Sequence, residues 1–341
     1  MAKVMVTGGC GYIGSHSIVD LLEAGHEVFS VDNYLNSAPE VLGSIRDITS
    51  QNVFNVPVDI CDRHLLEEIF ISEHPDVIIH FAALKSVPES VAKPLLYYQN
   101  NLIGLMNLLD LQQKYKVRDF IFSSSCSVYG NPDTLPVTET TPLAPAESPY
   151  AHTKQISEEI IRNFSNVHTN LRFVFLRYFN PAGAHESILM GESPASEALN
   201  LVPIITETGI GKRPKLTVFG DDYDTRDGTC IRDFIHIMDL ARAHTLSLER
   251  LLDHKSEELI EVFNLGTGNG ISVKEAISSF EKVSQVSLNY EIGPRRPGDV
   301  ISIYSDYSHA EQILGWRPER NIDDIMETAW KWEKVRSSAS A

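Results

Sequence analysis

The stretch Lys3-Val4-Met5-Val6-Thr7-Gly8-Gly9-Cys10-Gly11-Tyr12-Ile13-Gly14 decides how the chain is read. Lys3–Val6 is an apolar run of strand character. From Tyr12 to Ala24, Ile13, Val19, Leu21 and Leu22 recur at helical spacing, and Gly25 stops the helix before a second strand at His26–Val31. Strand, glycine turn and helix in this order form a phosphate cradle. Gly8, Gly11 and Gly14 allow a tight turn, close approach of a pyrophosphate and close packing of helix on strand. The helix start adds unpaired N–H groups and a partial positive charge. Asp32 ends the second strand, where a carboxylate bonds both adenosine ribose hydroxyls and repels a 2′-phosphate, so the expected cofactor is NAD rather than NADP. Alone, the glycines are an ordinary turn and Asp32 is a turn residue before Asn33. Together they point to a dinucleotide.

Outward from this unit the alternation continues. Strands are expected at Val53–Val56, Val77–His80, Phe120–Ser123 and Phe173–Leu176, and helices at Leu65–Ile71, Leu95–Lys114 and Tyr150–Phe164. Strand and helix alternating at this pace imply parallel pairing with right-handed crossovers and helices on both faces. The expected fold is α/β: a doubly wound parallel (Rossmann) sheet with a second, smaller α/β substrate lobe. We place the dinucleotide domain at residues 1–180 and the second lobe at 181–341. Within the latter, Ile235–Leu252 reads as a strand end and helix and Val262–Leu265 as a strand, so about 235–267 should fold back onto the first domain. Glycine, proline and acidic residues are dense from Asn180 to Gly228, which suggests long loops. The tail Val335–Ala341 is small and polar and reads as frayed.

Composition removes several function classes. The chain has 341 residues, 29 Lys plus Arg against 46 Asp plus Glu, and a formal net charge of -17. Such a surface disfavours nucleic acid and anionic membranes. Any anionic ligand must be held by locally placed arginines and backbone amides. No run approaches the length of a membrane span, and the glycine-broken start is no signal peptide. Cys10, Cys61, Cys126 and Cys230 are scattered without a CxxC pair, which reads as a reduced, cytoplasmic protein without disulfides or zinc. His16, His80, His152 and His236 lack metal-binding spacing and read as structural, so no metal is expected. Trp330 and Trp332 read as packing residues.

A second constellation carries chemistry. Tyr150 and Lys154 lie four apart, on one face of a helix whose first turn holds Pro149. The expected strand at Phe120 ends in Ser123, Ser124 and Ser125, and strand ends in such sheets face the ligand crevice. Ser125 would offer a hydroxyl there, or serve as a turn or cap residue. Asp59, after the third strand, suits an adenine amino group or, equally, a helix N-cap.

Six segments occur in order: TGGCGYIG (7–14), FSSSCSVYG (122–130), SPYAHTK (148–154), RYFNPAGAH (177–185), IRDFIHIMDLA (231–241) and RRPGD (295–299). By these the chain resembles the extended short-chain dehydrogenase/reductase superfamily and, within it, the UDP-glucose 4-epimerase family. The resemblance spans almost the whole chain; the first and third segments are superfamily-wide, and the others narrow it. It implies interconversion of UDP-glucose and UDP-galactose through transient oxidation at sugar carbon 4 by tightly bound NAD. Tyr150 would be the acid/base, Lys154 would orient the cofactor ribose and lower the tyrosine pKa, and Ser125 would bond the sugar hydroxyl. A free phenol has a pKa of about 10, so half-ionisation near neutrality needs a shift of about three units, or about 4 kcal/mol. A close ammonium and the positive nicotinamide ring would supply it.

The resemblance extends the cofactor set to Tyr12, Ile13, Asn33, Asn36, Asp59, Phe81, Lys85, Asn100, Ser123 and Tyr178. For the UDP-hexose it implies Arg232 and Arg296 at the diphosphate, Asp299 at the uridine ribose, Asn180 and Asn200 with Leu201, Phe219 beside uracil, and Lys85. Ile303 takes the place of a residue that limits room near sugar carbon 2, which leaves UDP-N-acetylhexosamines as an alternative substrate. Dehydratases put an acid pair after the strand-end hydroxyl, where this chain has Cys126 and Ser127, and the glutamate of the decarboxylases is missing too. A nucleotide sensor without catalysis would have no need for an aligned Tyr150 and Lys154. The family often dimerises through two helices, which here would be Leu95–Lys114 and Tyr150–Phe164, so a homodimer is expected.

Overall fold

The computed structural model describes residues 1–194, 197–256, 258–296 and 299–339. Its first half runs β1 (Lys3–Thr7), α1 (Tyr12–Glu23), β2 (Glu27–Val31), α2 (Val41–Thr49), β3 (Asn55–Val56), α3 (Arg63–Glu73), β4 (Val77–His80), α4 (Val87–Ala92), α5 (Pro94–Tyr115), β5 (Asp119–Ser125), α6 (Pro149–Val167) and β6 (Arg172–Tyr178). There follow β7 (Asn180–Ala182), α7 (Leu201–Gly209), β8 (Leu216–Phe219), β9 (Ile231–His236), α8 (Ile237–Leu252), β10 (Ile260–Leu265), β11 (Gly270–Ser272), α9 (Val273–Ser284), β12 (Tyr290–Gly293), β13 (Ser302–Ile303), α10 (Ser308–Leu314) and α11 (Ile322–Ala339).

Seven strands form one parallel sheet in the order β10-β6-β5-β4-β1-β2-β3. Its inner strands are continuous apolar runs, as burial on both faces requires. Two hydrophobic layers cover it: one under α1, α2 and α8, with Ile18, Leu21, Leu240 and Leu248, and one under α3, α5 and α6, with Leu66, Leu105, Leu108 and Ile161. The order reverses between β1 and β4, so the crevice lies at the carboxyl ends of these strands. The chain re-enters this sheet late: β10 pairs with β6, and α8 packs through the same layer as α1.

A separate core, with Val202, Ile205, Val218, Phe234, Phe280 and Met326, lies among α7, α9, α11 and short strands. β9 pairs with β7, β11 and β13, and β8 pairs with β12. This part holds more regular structure than its glycine and proline content suggests. α9 starts on a reciprocal capping box, Ser272 with Glu275.

Three local expectations are corrected. The third strand shrinks to Asn55–Val56, because as an edge strand it pairs only with Ser30 and Val31 of β2. The tail from Val335 is not frayed but continues α11 to Ala339. Arg336 bridges Glu207 and Glu333, and the Ser337 hydroxyl donates to Glu333. Ser340 and Ala341 lie outside the described residues. The N-cap of α3 is Asp62, whose carboxylate accepts from the His64 and Leu65 N–H groups. Asp59 is therefore no cap, and its carboxylate accepts the nearby Cys61 N–H.

Candidate active site

The cofactor cradle is shaped by atoms that leave no room for side chains. Gly8 has φ +71, and a Cβ on it would sit 2.7 Å from the Ala82 nitrogen. A Cβ on Gly14 would sit 2.3 Å from the Gly8 carbonyl oxygen, so α1 lies directly on the turn. Gly11 is the N-cap of α1 and provides no side-chain cap, which leaves first-turn N–H groups to a ligand. Buried Asp32 braces the cradle: its carboxylate accepts from Cys10 N–H (3.1 Å), Tyr34 N–H (2.9 Å) and the Ser37 hydroxyl (2.7 Å). Ser37 escaped the sequence reading because its role depends on how the loop after β2 folds back.

The other expected cofactor residues are spread around this cradle. The Tyr12 phenol donates to the Gly183 carbonyl (2.7 Å), tying α1 to the chain after β7. Ile13 packs onto the α1-side core. Asn33, Asn36 and Asp59 are exposed, and the Asn33 side chain accepts from Leu35 N–H. Phe81 follows β4 and packs against the His244 ring. The Asn100 side chain donates to Asn101. Tyr178 is turned to His244, with 2.7 Å between its hydroxyl and Nε2.

The residues expected to react meet where β5 ends. Lys154 is buried, donates to the Ser123 carbonyl (2.6 Å) and lies over the Phe122 ring. Burial pushes its pKa down to about 8, with Glu158 pulling the other way. The Ser125 hydroxyl accepts the Ser127 N–H (3.2 Å), so Ser125 also caps the short 3-10 turn Cys126–Tyr129. Burial pushes the Tyr150 phenol up to about 12, while neighbouring Ser125 pulls it down. Neither of the charges expected to lower it, Lys154 and a nicotinamide ring, is among the causes of this shift. The protein alone desolvates the phenol, and Lys154 spends its charge on a backbone carbonyl.

The expected substrate residues gather from distant positions through strand pairing. β12 runs beside β8 with Gly293 opposite Phe219, which brings Arg296 over the Phe219 ring at 5.6 Å. β13 runs beside β9 with Ile303 opposite Arg232. Asp299 joins them: Arg296 donates to its carboxylate at 2.7 Å, and Arg232 approaches it at 3.7 Å. Pro297 and Gly298 of this motif lie outside the described residues. Ile303 is buried with Val128, Tyr129, Val137 and Phe179. The Asn180 side-chain oxygen is buried without a hydrogen-bond partner among the described residues. Asn200, just before Leu201 at the start of α7, donates to Glu192 (2.7 Å), and Lys85 approaches the same carboxylate at 3.8 Å. Glu192 and Glu158 were missed by sequence reading, since a single glutamate carries no motif.

Comparison with known proteins gives the family. The family model described as GDP-mannose 4,6 dehydratase matches residues 5–329. A UDP-glucose 4-epimerase of Haemophilus influenzae is 44% identical over 331 residues, 97% of each chain. The chain belongs to the UDP-glucose 4-epimerase family. Among solved structures, the UDP-glucose 4-epimerase of Bifidobacterium longum in complex with NAD+ and UDP superposes with a TM-score of 0.94 at 44% identity, covering 98% of this chain and 99% of that one. The Stenotrophomonas maltophila epimerase with bound NAD and formylated UDP-arabinopyranose gives 0.96 at 42% identity, covering 99% and 100%. Cys126, directly after Ser125, has its thiol pushed up to about 12 by burial, which makes it a poor proton donor. Among the described residues no group of His, Cys, Asp and Glu could hold a metal, and no helix is long and apolar enough to cross a membrane.

Proposed function

We propose that this protein interconverts UDP-glucose and UDP-galactose by inverting sugar carbon 4, with NAD bound in the glycine cradle. One observation carries the reading. Tyr150 and Lys154 share a face of α6 and meet Ser123 and Ser125 at the same carboxyl end of the sheet as the glycine turn. The cradle fits the cofactor, because Gly8 and Gly14 leave backbone where a side chain would stand and the start of α1 is uncapped. NAD, when bound, supplies a reversible acceptor for the hydrogen on carbon 4, so the reaction has no net oxidation.

The chain's own residues divide the remaining work. The Tyr150 oxygen takes the proton of the carbon-4 hydroxyl and returns it to the opposite configuration. The Ser125 hydroxyl holds that same oxygen. Lys154, drawn from the Ser123 carbonyl, orients the cofactor ribose. Arg232 and Arg296 hold the diphosphate, for which arginine offers paired donors. Asp299 meets the uridine ribose, Phe219 the uracil, and Asn180, Asn200 and Lys85 complete the clamp. Gly11, Tyr12, Ile13, Asp32, Asn33, Asn36, Asp59, Phe81, Asn100 and Tyr178 line the cofactor's path.

Two finer points belong to the same reading. The protein is a homodimer: α5 leaves Leu95, Leu96, Ile103 and Met106 exposed along one side. It is cytoplasmic, in keeping with four unpaired thiols. The test uses the purified protein without added NAD. UDP-galactose should become UDP-glucose with no 4-keto-6-deoxy product. Tyr150→Phe should lose about 10²–10⁴ of the rate yet still bind UDP. A protein without bound dinucleotide, or a Tyr150→Phe variant of undiminished rate, overturns the reading. A faster rate on UDP-N-acetylglucosamine overturns the substrate assignment alone.

A further inference from the structure

We propose that Glu158 is a positioning residue: its buried carboxylate fixes α6 against the end of β5 and thereby sets Tyr150 and Lys154 relative to Ser125. The inference rests on the reading of those three residues as the reacting set. Residues 150, 154 and 158 follow one another at one-turn spacing along α6, on one face. Their partners on β5 are three consecutive residues. Lys154 holds the Ser123 carbonyl, Glu158 accepts the Ser124 hydroxyl at 2.6 Å, and Tyr150 neighbours the Ser125 hydroxyl. The middle tie is the one that involves none of the proposed reacting residues.

The tie is rigid because Glu158 is fixed from behind. Arg177 of β6 donates to both its oxygens, at 2.9 and 2.6 Å, and all three of Ser124, Glu158 and Arg177 are buried. Arg177 also donates to the Tyr129 phenol (2.9 Å), which donates to Asn264 of β10 (2.7 Å). The network therefore spans β5, β6, β10 and α6. A bidentate, two-sided geometry of this kind specifies position to a fraction of an ångström, and a displacement of 1 Å at a reacting group costs on the order of 100-fold in rate.

Glu158 also carries charge toward the site. The groups facing Lys154 are His80 from β4, the Phe122 ring and Ser123 carbonyl from β5, and Glu158 on its own helix. Arg177 and Arg162 face Glu158 from its far side. Among the groups around Lys154, Glu158 favours the ammonium and burial opposes it.

The experiment compares holoenzyme of wild type, Glu158→Gln, Glu158→Asp and Ser124→Ala. Rates across pH are measured together with the ionisation of Lys154, followed by NMR on lysine labelled with 13C at the ε position and assigned with Lys154→Arg. In Glu158→Gln the Lys154 resonance should titrate at least about one unit lower, and the alkaline limb of kcat should move down with it. The value of kcat at neutral pH should fall on the order of tenfold or more with KM nearly unchanged. Glu158→Asp keeps the charge, so it should restore the Lys154 titration but not the full kcat. Ser124→Ala leaves the Arg177 pair intact and should lower kcat severalfold. If Glu158→Gln does not fold, Glu158→Asp and Ser124→Ala decide. Unchanged kcat in both, or in a folded Glu158→Gln an unmoved Lys154 titration, overturns the proposal. An inactive wild type would instead overturn the proposed function.

Discussion

Replacing Lys154 by Met should move the acid limb of the pH–rate profile upward by about two units. Burial within the protein pushes the phenol of Tyr150 up to about 12 and the ammonium of Lys154 down to about 8. These values are in the wrong order for catalysis. Between pH 8 and 12 the neutral pair dominates, and the phenolate–ammonium form lies about four units, or about 5 kcal/mol, above it. For Tyr150 to be half-ionised near pH 7 it must fall by about five units, or about 7 kcal/mol. A unit positive charge taken to lie about 5 Å away, at an effective dielectric constant of about 20, supplies about 3 kcal/mol. One such charge is insufficient and two suffice: the nicotinamide ring, and Lys154 once it leaves the Ser123 carbonyl for the ribose. Deleting one returns about 3 kcal/mol to the phenol, hence the two units. The base form of Tyr150 is the active one, so the rate rises with pH through its pKa, and each unit of upward shift costs tenfold at neutral pH. Lys154→Met should therefore run about 100-fold slower at pH 7 and recover toward pH 9. The assay is conversion of UDP-galactose by holoenzyme from pH 5 to 10, with bound NAD measured at each end. A limb that stays within about half a unit of wild type, with NAD retained, would refute the electrostatic argument.

Gly14→Ala should weaken NAD retention about 10- to 100-fold and lower Tm, because its Cβ would meet backbone at 2.3 and 2.9 Å and overpacking of this kind costs about 1–3 kcal/mol; NAD content after gel filtration measures it, and full retention would contradict the close fit. Arg232→Ala should raise KM for the UDP-sugar about 10-fold or more with a smaller change in kcat, since a charge-assisted hydrogen bond contributes about 1.5–3 kcal/mol and the diphosphate is bound in ground and transition state alike. Steady-state kinetics at fixed ionic strength would test this.

Legibility followed the range of the interaction. The β1–turn–α1 unit was readable because its signal is local: glycine conformations, apolar period and a strand-end aspartate all lie within one supersecondary unit. Tyr150 and Lys154 were readable as a pair because helix geometry alone puts them on one face. Their electrostatics were not, since the direction of the Tyr150 shift depends on burial by elements far away in sequence. Glu158 reads on paper as one more solvent-facing helix glutamate; only Arg177, nineteen residues on in the neighbouring strand, makes it an interior ion pair. The end of α11 was misread for a related reason. Ser337, Ser338 and Ala339 look like a loose terminus until Arg336 is seen bridging to Glu207 on α7. The start of α9 was legible but overlooked, since Ser272 and Glu275 form a capping box in the sequence itself.

The proposed clamp and the proposed reacting groups belong to different cores, and this separation suits a reaction in which one sugar ring must present both faces. Tyr150, Lys154 and Ser125 stand on the seven-stranded sheet and the helix packed against it. Phe219, Arg232, Arg296 and Asp299 stand on or beside the paired short strands β8–β12 and β9–β13. A net charge of -17 repels an anionic nucleotide at long range, so binding must be won at contact distance. Asp299 already accepts hydrogen bonds from Arg296 and lies near Arg232, which keeps both guanidinium groups oriented before a diphosphate arrives. Preorientation of this sort reduces the side-chain entropy lost on binding. Ile303 of β13, opposite Arg232, is buried in a small apolar cluster with Val128, Tyr129, Val137 and Phe179, next to the end of β5 in the chain. A ligand pinned at its nucleotide end and unpinned at its sugar end has the freedom that inversion at carbon 4 demands, while Tyr150 and Ser125 remain fixed.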